Sequence, residues 1–209
     1  DPQDYKFNPA QRTYVRIGDD NIFREGVTIS RATGEGESTV VGNHTYWFAN
    51  AHCGHNAVIE DDAILVNGIL VAGHAHIGRG AILAGNGAVH QFCWIGEKCM
   101  FQGGAMSSMH VPPFSMCADV NNVVALNVVG MRRDPTLSDE DRRQIKEAFS
   151  LLYLKGLTLA QAVAEMDARD DWGAAAGRYR DFLRKVLHAE KPYNRGICSH
   201  LSRVGSRHT

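Results

Sequence analysis

The residues best able to do chemistry in this chain are histidines, and they are crowded into one stretch. Six of the ten histidines fall between residues 44 and 90: His44, His52, His55, His74, His76 and His90. In and just after this stretch, two sets of residues are spaced eighteen apart, namely His55, Gly73 and Gln91, and beside them Asn56, His74 and Phe92. A neutral imidazole can remove a proton from a hydroxyl group, and a fixed glycine N–H can stabilise an oxyanion. Brought together, these groups suit the transfer of an acyl group to an alcohol that attacks directly, without a serine or cysteine nucleophile.

A six-residue repeat supplies the elements that must position these side chains. Counting in sixes from residue 41 gives eleven consecutive apolar residues: Val41, Trp47, Cys53, Ile59, Leu65, Val71, Ile77, Leu83, Val89, Ile95 and Phe101. Four residues after each of them the chain has, with one exception at Ile69, a small residue. A period of six fits neither an amphipathic helix nor an alternating strand. It predicts hexapeptide coils, in which three short strands and three turns make one triangular coil of about eighteen residues in a parallel β-helix.

From Leu137 onwards the pattern changes to that of α-helices. The segment LSDEDRRQIKEAFSLLYLKG predicts a helix with Ser138 as its N-cap and Gly156 as its C-terminal stop. LTLAQAVAEM and WGAAAGRYRDFLRKVLHA predict two more helices, and residues 192–209 read as a loose basic tail. We therefore predict a mainly β protein with two domains, a parallel β-helix over residues 1–136 and an α-helical C-terminal domain over residues 137–209.

Composition and charge are those of an ordinary globular protein. The net charge of −1 gives no sign of a nucleic-acid partner, and no run of eighteen apolar residues suggests a transmembrane segment. The first residues lack the apolar core of a signal peptide. Five cysteines without a CxxC pair argue against a disulfide framework and against a zinc knuckle. We expect a protein of a reducing, cytoplasmic compartment.

The beginning of the chain carries a weaker repeat. A hexad signal at Ile17, Phe23 and Ile29 precedes a glycine-rich loop at residues 34–36. Because a β-helix needs several coils and a capped end, we expect coils N-terminal to Asp1 to be missing from this sequence.

Several motifs resemble one family. The stretches NAHCGH (50–55), VAGH (71–74), AVHQF (88–92) and HVPP (110–113) are similar to those of the UDP-N-acetylglucosamine O-acyltransferases, which begin lipid A synthesis, and so are QDYKF (3–7), REGVTISRAT (24–33) and LNVVGMRR (126–133). The resemblance implies a left-handed β-helix and a homotrimer. It also implies transfer of a fatty acyl group, expected to be 3-hydroxyacyl, from acyl carrier protein to the 3-position of UDP-N-acetylglucosamine. No cofactor or metal is implied, because the acyl donor is carried on the phosphopantetheine of the acyl carrier protein.

The same resemblance suggests a role for individual residues. His55 matches the general base and Gly73 the oxyanion donor. The residues that match substrate contacts are Gln3, Asp4 and Lys6 in the loop that reaches the sugar nucleotide, His52, His74, His90 and Gln91 in the acceptor and pantetheine cleft, and Asn127 and Arg133 at the uridine and phosphates. Gly103 matches the position that measures acyl-chain length.

Two departures from the family pattern bear on activity. The residue after the general base is Asn56 where the family usually has aspartate, and Asp134 stands where it has a second arginine. An asparagine can hold a histidine tautomer but cannot stabilise an imidazolium by charge. In the Ser-His-Asp triad the corresponding change costs about 10⁴ in rate, because it selects the wrong tautomer.

Two other functions remain open on the sequence. A β-helix carbonic anhydrase would gather three histidines around zinc between subunits, with an open fourth position for hydroxide. A non-catalytic homologue would bind the nucleotide sugar but would have lost turnover through Asn56. The residues also do not distinguish a 3-hydroxyl acceptor from a 3-amino acceptor.

Overall fold

The computed structural model describes residues 3–201, and its strands are short. In chain order they are β1 (Tyr14–Ile17), β2 (Ile22–Phe23), β3 (Thr28–Ile29), β4 (Ser38–Val41), β5 (Tyr46–Trp47), β6 (His52–Cys53), β7 (Val58–Ile59), β8 (Ile64–Leu65), β9 (Leu70–Val71), β10 (His76–Ile77), β11 (Ile82–Leu83), β12 (Ala88–Val89), β13 (Trp94–Ile95), β14 (Met100–Phe101), β15 (Met106–Ser107), β16 (Ser115–Ala118), β17 (Asn122–Leu126) and β18 (Ser199–His200). The helices are α1 (Val128–Arg133), α2 (Asp139–Tyr153), α3 (Leu159–Asp167) and α4 (Ala174–Leu187).

The strands stack into three sheets that form the faces of a triangular prism. Face X contains β1, β4, β7, β10 and β13; face Y runs from β2 through β5, β8, β11, β14, β16 and β17 to β18; and face Z contains β3, β6, β9, β12 and β15. From β4 to β15, neighbouring strands are parallel and eighteen residues apart, as in the pairing of His76 with Trp94 and of Ile82 with Met100. The antiparallel hairpin of β16 and β17 departs from this pattern at the C-terminal end of face Y. The predicted parallel β-helix and its eighteen-residue coil are confirmed.

The hexapeptide pattern accounts for the interior. Every one of the eleven repeat positions from Val41 to Phe101 is at most 2% exposed, so one large apolar side chain per hexad fills the prism. The small residues of the second series occupy the corners, where Ala51, Ala63 and Ala81 are fully buried. Stacking the coils thus removes from water the apolar side chains that a single coil would leave exposed.

The first coil is longer than the others by one hexad. Tyr14 of β1 pairs with Ser38 of β4, a spacing of 24 residues instead of eighteen. The extra residues form the glycine-rich loop between β3 and β4, in which Gly34 and Gly36 have left-handed backbone conformations. This loop, residues 30–37, lies beside the corner where face Z turns into face X. We name that edge the ZX corner; it comprises residues 54–57, 72–75 and 90–93.

The predicted helices are present with the expected ends. Ser138 caps α2 in a reciprocal capping box with Asp141, and Thr158 does the same for α3 with Gln161. Gly156, with φ of +69°, ends the segment after α2. The short helix α1, capped by Asn127, was not predicted. None of the helices within residues 3–201 has the length and apolarity that crossing a membrane requires.

The segment predicted as a loose basic tail is ordered up to Leu201. The backbone N–H of His110 donates to Gly196 O, Cys198 N–H donates to His110 O, and β18 pairs with β17 on face Y. The prediction of a loose tail is therefore wrong for residues 193–201, because strand pairing that depends on distant residues leaves no local signal; residues 202–209 lie outside the described part. The proposed boundary at residues 136 and 137 falls between α1 and α2 and stays a prediction.

Candidate active site

The eighteen-residue columns proposed from the sequence exist at the ZX corner. The N–H of His74 donates to His55 O at 2.9 Å, and the N–H of Phe92 donates to Gly73 O at 3.3 Å, so successive coils are tied in register. The His55 ring lies directly over Gly73. A Cβ atom at residue 73 would stand 2.7 Å from His55 Nε2. Glycine at this position is therefore what leaves room for the imidazole.

The two nitrogens of His55 have different surroundings. Nδ1 lies 2.9 Å from Asn56 Oδ1. Nε2 has no hydrogen-bond partner within residues 3–201 and lies on the side of the ring that faces Gly73. Because Nδ1 is engaged, Nε2 is the nitrogen available to accept a proton from a bound hydroxyl.

The backbone N–H of Gly73 is an open donor. Gly73 is the first residue of the turn that follows β9, and the N–H at this turn position does not form one of the backbone hydrogen bonds that join neighbouring coils. At two equivalent positions a carboxylate of a neighbouring coil accepts this N–H: Asp61 accepts from Asn43 at 2.7 Å and Glu60 accepts from Arg79 at 2.8 Å. The Gly73 N–H meets no acceptor in the part of the chain that the structure describes. The corner therefore offers an oxygen-binding N–H one coil away from His55.

His74 packs between the base and the aromatic side chains above it. Its ring meets the His55 ring edge-on with centroids 5.1 Å apart and stacks on Phe92 at 4.8 Å. Burial, and then the neighbouring His55, hold the pKa of His74 below its ordinary value. His74 therefore stays neutral over most of the physiological range, and as a neutral ring it can donate or accept a hydrogen bond beside the base.

The loop at the start of the described chain reaches this region through His52. The Gln3 amide Nε2 donates to His52 Nε2 at 3.0 Å, so the other ring nitrogen, Nδ1, carries the proton and donates to Thr28 Oγ1 at 2.7 Å. Burial lowers the pKa of His52. With both nitrogens in use, His52 positions the loop and cannot serve as the base. Asp4 Oδ1 accepts the N–H of Lys6 and so shapes the turn that follows.

An apolar groove runs along face Z beside the ZX corner. Its volume is about 570 Å³, and its lining residues are Gln3, His52, Leu70, Val71, Ala72, Ala88, Val89, His90, Met106, Ser107, Ser108 and Val120. Leu70, Met106 and Val120 are about half exposed along it. His90 lies at its rim, with Nδ1 3.2 Å from Gln91 O, and the Gln91 side chain faces solvent. The groove has an apolar lining of the kind that a hydrocarbon chain requires.

The remaining predicted contacts lie elsewhere in the same chain. Asn127 and Arg133 line a second cavity, of about 530 Å³, on face Y. The Asn127 amide is committed within the chain, since Oδ1 caps α1 at Gly130 and Nδ2 donates to Lys98 O. Arg133 is exposed and forms no ion pair among the described residues. A single chain thus does not bring these two residues to the groove of face Z.

Asp134, which replaces an expected arginine, is a structural residue. It is only 8% exposed, forms an ion pair with Lys98 at 3.0 Å and accepts from the hydroxyl and the N–H of Thr136. Burial alone would raise the pKa of Asp134, but the bonds to Thr136 and Lys98 outweigh it and bring this pKa down to about 2. It therefore remains ionised and neutralises Lys98 at the edge of the face Y cavity.

Gly103 lies at the corner between faces Y and Z, after β14. A Cβ atom there would meet only Gly85 O, at 3.8 Å, and its backbone is not left-handed. His55 and Gly103 therefore lie at the two corners that flank face Z, which carries the groove. The position is one where a side chain could be added without disturbing the coil.

Sequence reasoning missed the threonines that hold the site. Thr28 orients His52, and Thr33 contacts Asn56 with both its N–H and its hydroxyl. Thr33 is 23 residues from Asn56, because the extra hexad of the first coil intervenes. The separation is neither the eighteen residues of a regular coil nor the 24 residues of the longer first coil, so a search at either spacing could not find this pair.

Comparison with known proteins assigns the chain to a family. Residues 110–198 match the family model described as UDP-N-acetylglucosamine O-acyltransferase, domain 2. The structure is similar to that of a UDP-N-acetylglucosamine acyltransferase from Francisella novicida, with a TM-score of 0.84 and 34% identity over 96% of this chain and 71% of that one. The chain belongs to the UDP-N-acetylglucosamine O-acyltransferase family. A relative from Moraxella catarrhalis has a TM-score of 0.81 and 34% identity, over 88% of this chain and 72% of that one. The left-handed β-helix followed by α-helices is thereby confirmed.

A curated relative from Gloeothece citriformis gives the same family. It is named acyl-[acyl-carrier-protein]–UDP-N-acetylglucosamine O-acyltransferase and is 40% identical over 90% of this chain and 66% of its own length. The chain spans just under two thirds of the length of the first curated relatives that it matches. These relatives favour the acyltransferase hypothesis over the zinc-enzyme alternative.

Proposed function

We propose that this chain transfers a fatty acyl group, preferably 3-hydroxyacyl, from acyl carrier protein to the 3-position of UDP-N-acetylglucosamine, the first step of lipid A synthesis. One observation carries the proposal. On neighbouring coils, His55 Nε2 and the Gly73 N–H lie close together, and neither has a hydrogen-bond partner in the described part of the chain. The names of the relatives support the choice of donor and acceptor.

The reaction needs only groups that the ZX corner offers. As the sugar hydroxyl oxygen attacks the thioester carbon, its proton passes to His55 Nε2. The carbonyl oxygen becomes an oxyanion, which accepts the Gly73 N–H. When the C–S bond breaks, the imidazolium returns the proton to the departing sulfur, so that the products are an ester and the thiol of the phosphopantetheine. No cofactor enters this sequence.

The groove on face Z supports an acyl chain of some length. Its apolar lining, from Leu70 to Val120, would shield a hydrocarbon from water at roughly 25 cal/mol per Å² of apolar surface buried. We propose that acyl groups of about ten carbons or more are preferred, with Gly103 leaving the far end open.

A shared site between copies follows from the same reasoning. Asn127 and Arg133 lie on face Y, whereas Gln3, His52 and His90 lie on face Z. We propose a homotrimer in which face Y of one copy approaches face Z of the next, so that a uridine diphosphate can meet both sets. An arginine such as Arg133 suits the diphosphate geometrically.

We further propose that the protein works in a reducing, cytoplasmic compartment. All five cysteines are buried and unpaired. Burial raises the pKa of Cys53 and Cys99 to about 12, so these thiols are inert side chains of the core.

One assay tests the activity. The purified chain is incubated with UDP-N-acetylglucosamine and a panel of acyl carrier protein thioesters, with and without a 3-hydroxyl group and with chains of four to sixteen carbons, and the acylated nucleotide is measured. We expect transfer from the longer 3-hydroxyacyl donors. Binding of UDP-N-acetylglucosamine without transfer from any donor would contradict the proposal in favour of the non-catalytic homologue.

A further inference from the structure

The side-chain amide of Asn56 is held by one residue, Thr33, in the loop between β3 and β4. The N–H of Thr33 donates to Asn56 Oδ1 at 2.9 Å, and the Thr33 hydroxyl donates to the same oxygen at 3.2 Å. In the other direction, Asn56 Nδ2 donates to the Thr33 carbonyl oxygen at 2.9 Å. The Asn56 backbone is fixed as well, because its N–H donates to the hydroxyl of Thr39 at 2.8 Å.

These contacts determine which end of the amide faces His55. A backbone N–H can only donate and a backbone carbonyl can only accept. If the amide turned over, its NH₂ group would face the Thr33 N–H and its oxygen would face the Thr33 carbonyl, so two hydrogen bonds would be replaced by two repulsive contacts. The orientation is thus set by Thr33, independently of the histidine.

The oxygen that Thr33 holds in place is the one that meets the imidazole. Asn56 Oδ1 lies 2.9 Å from His55 Nδ1. An amide oxygen only accepts, so Nδ1 must carry the proton and Nε2 must be unprotonated in the neutral ring. The tautomer of His55 therefore depends on two residues that neither donate nor accept a proton in the reaction.

We propose that Asn56, oriented by Thr33, is a positioning residue that holds His55 as the Nδ1–H tautomer and keeps Nε2 as the base. The role of Nε2 as a base rests on the proposed acyl transfer, whereas the tautomer of His55 can be measured without any reaction. In the Ser-His-Asp triad, asparagine in place of aspartate is costly because the histidine takes the wrong tautomer. Here the Thr33 backbone holds the amide with its oxygen towards His55 Nδ1, which favours the tautomer with an unprotonated Nε2, so the substitution is compatible with turnover.

A purely structural role for Asn56 is the competing explanation, and the chain contains examples of it. Asn21 Oδ1 accepts the N–H and the hydroxyl of Thr45, and Asn121 Oδ1 accepts the N–H of Ser108. The contact between an asparagine and a backbone is therefore used elsewhere to join coils. What distinguishes Asn56 is the additional contact of its oxygen with a histidine, so the test must measure the state of that histidine.

The experiment measures the tautomer by NMR on the full chain labelled with ¹⁵N-histidine, without substrate. The signals of His55 are identified by their absence in His55→Ala. We expect Nδ1–H in the wild-type chain and a shift towards Nε2–H in Asn56→Ala. In the transfer assay, Asn56→Ala should lose about tenfold or more in kcat with little change in KM for the nucleotide sugar. Asn56→Asp, which keeps an acceptor for Nδ1–H, should restore both the tautomer and most of the rate.

The matched control is Asn86→Ala. Asn86 occupies the same turn position, with φ of 57° against 59° for Asn56, so both alanine variants carry the same backbone strain. We expect Asn86→Ala to leave the His55 tautomer and the transfer rate unchanged.

Two results would overturn the inference: an Nε2–H tautomer of His55 in the wild-type chain, or an unchanged tautomer and rate in Asn56→Ala. The wild-type measurement decides even if the variant fails to fold. An Nδ1–H tautomer in a chain that transfers no acyl group would leave this inference intact and contradict the proposed function instead.

Discussion

At the scale of single residues, the proposed reaction divides the chemistry at the ZX corner between a side chain and a backbone group. His55 can take a proton because its other nitrogen is engaged by Asn56. Gly73 contributes an N–H and, by having no side chain, the space that the imidazole fills. Loss of either should affect turnover much more than folding, since neither contributes a large side chain to the apolar interior of the prism.

His55→Ala should reduce acyl transfer by about 10² to 10⁴, because the contribution of a general base has that size. The KM for UDP-N-acetylglucosamine and the melting temperature should change little. Steady-state kinetics and thermal unfolding measure these effects, with the exposed His188→Ala as control. Activity within tenfold of the wild type would rule out His55 as the base.

Gly73→Ala should be as damaging as the loss of the histidine, for a steric reason. The new methyl group would lie 2.7 Å from His55 Nε2 and 3.0 Å from two ring carbons, so the imidazole would have to leave its position. Gly85→Ala occupies an equivalent turn position without a histidine and serves as the control. We expect kcat to fall only in Gly73→Ala; equal activity of the two variants would show that the ring has room to move.

At the scale of elements, the proposed function makes face Z and the corners that flank it the surfaces that select the acyl chain. His55 and Gly103 are 48 residues apart, which is about 2.7 coils or roughly 13 Å along the prism. An extended hydrocarbon advances roughly 1.3 Å per carbon, as follows from C–C bonds of about 1.5 Å. The separation thus corresponds to roughly ten carbons beyond the reacting carbonyl.

Gly103→Met should shift the preference towards shorter acyl chains without changing nucleotide affinity. The site accepts a side chain sterically, since the nearest atom to a new Cβ is 3.8 Å away. Relative kcat/KM values over the donor panel measure the shift, and Gly103→Ala should give a smaller one. If the preference stays the same, Gly103 does not set the length of the acyl chain.

The contact between the β-helix and the C-terminal segment contains a histidine that should make stability depend on pH. His110 is fully buried; its Nδ1 accepts the N–H of Trp94 at 2.9 Å, and its Nε2–H donates to Tyr193 O at 2.7 Å. Burial lowers the pKa of His110. Below about pH 6.5 the unfolded chain therefore binds a proton that the folded chain does not.

The free energy of unfolding should consequently fall as the pH drops through about 6.5, and level off below the folded pKa. His110→Gln, which keeps an acceptor and a donor but does not titrate, should make this dependence shallower. Urea unfolding between pH 8 and pH 5 measures it, with the exposed His188→Gln as control. A residual slope is expected, since burial also lowers the pKa of His52, His74 and His200. An unchanged slope in His110→Gln would mean that those residues account for the whole effect.

At the scale of the whole molecule, the proposed homotrimer rests on an apolar face Z and on predicted substrate contacts that are divided between two faces. Leu70 and Met106 are about half exposed on face Z, beside side chains predicted to bind substrate. Asn127 and Arg133 are on another face. Assembly of several copies would cover the first surface and unite the two sets of residues.

Sedimentation at micromolar concentration should give three times the mass of the chain. Because each site would then draw on two copies, mixing His55→Ala with Arg133→Ala chains should restore part of the activity that each variant lacks alone. A monomer in solution, or the absence of complementation, would contradict the shared site.

The hexad pattern of the amino-acid sequence is sufficient to specify the coil. One large and one small residue per hexad determine the strand length, the turn and the eighteen residues of each coil. This arrangement buries all eleven apolar positions from Val41 to Phe101. The same register places His55, Gly73 and Gln91 in one column, because residues eighteen apart stack on neighbouring coils. The helix ends at Ser138 and Gly156 are also predictable from the sequence, because capping is a local interaction.

Other features depend on long-range contacts that periodicity does not encode. The looped-out hexad of the first coil brings Thr33 to Asn56, and the strand at Ser199 returns to face Y. Asn127 proved to be a helix cap, and Asp134 the partner of Lys98. These contacts join residues whose separations follow no repeat, and their hydrogen bonds form only once distant segments have folded together, so no local pattern in the chain predicts them.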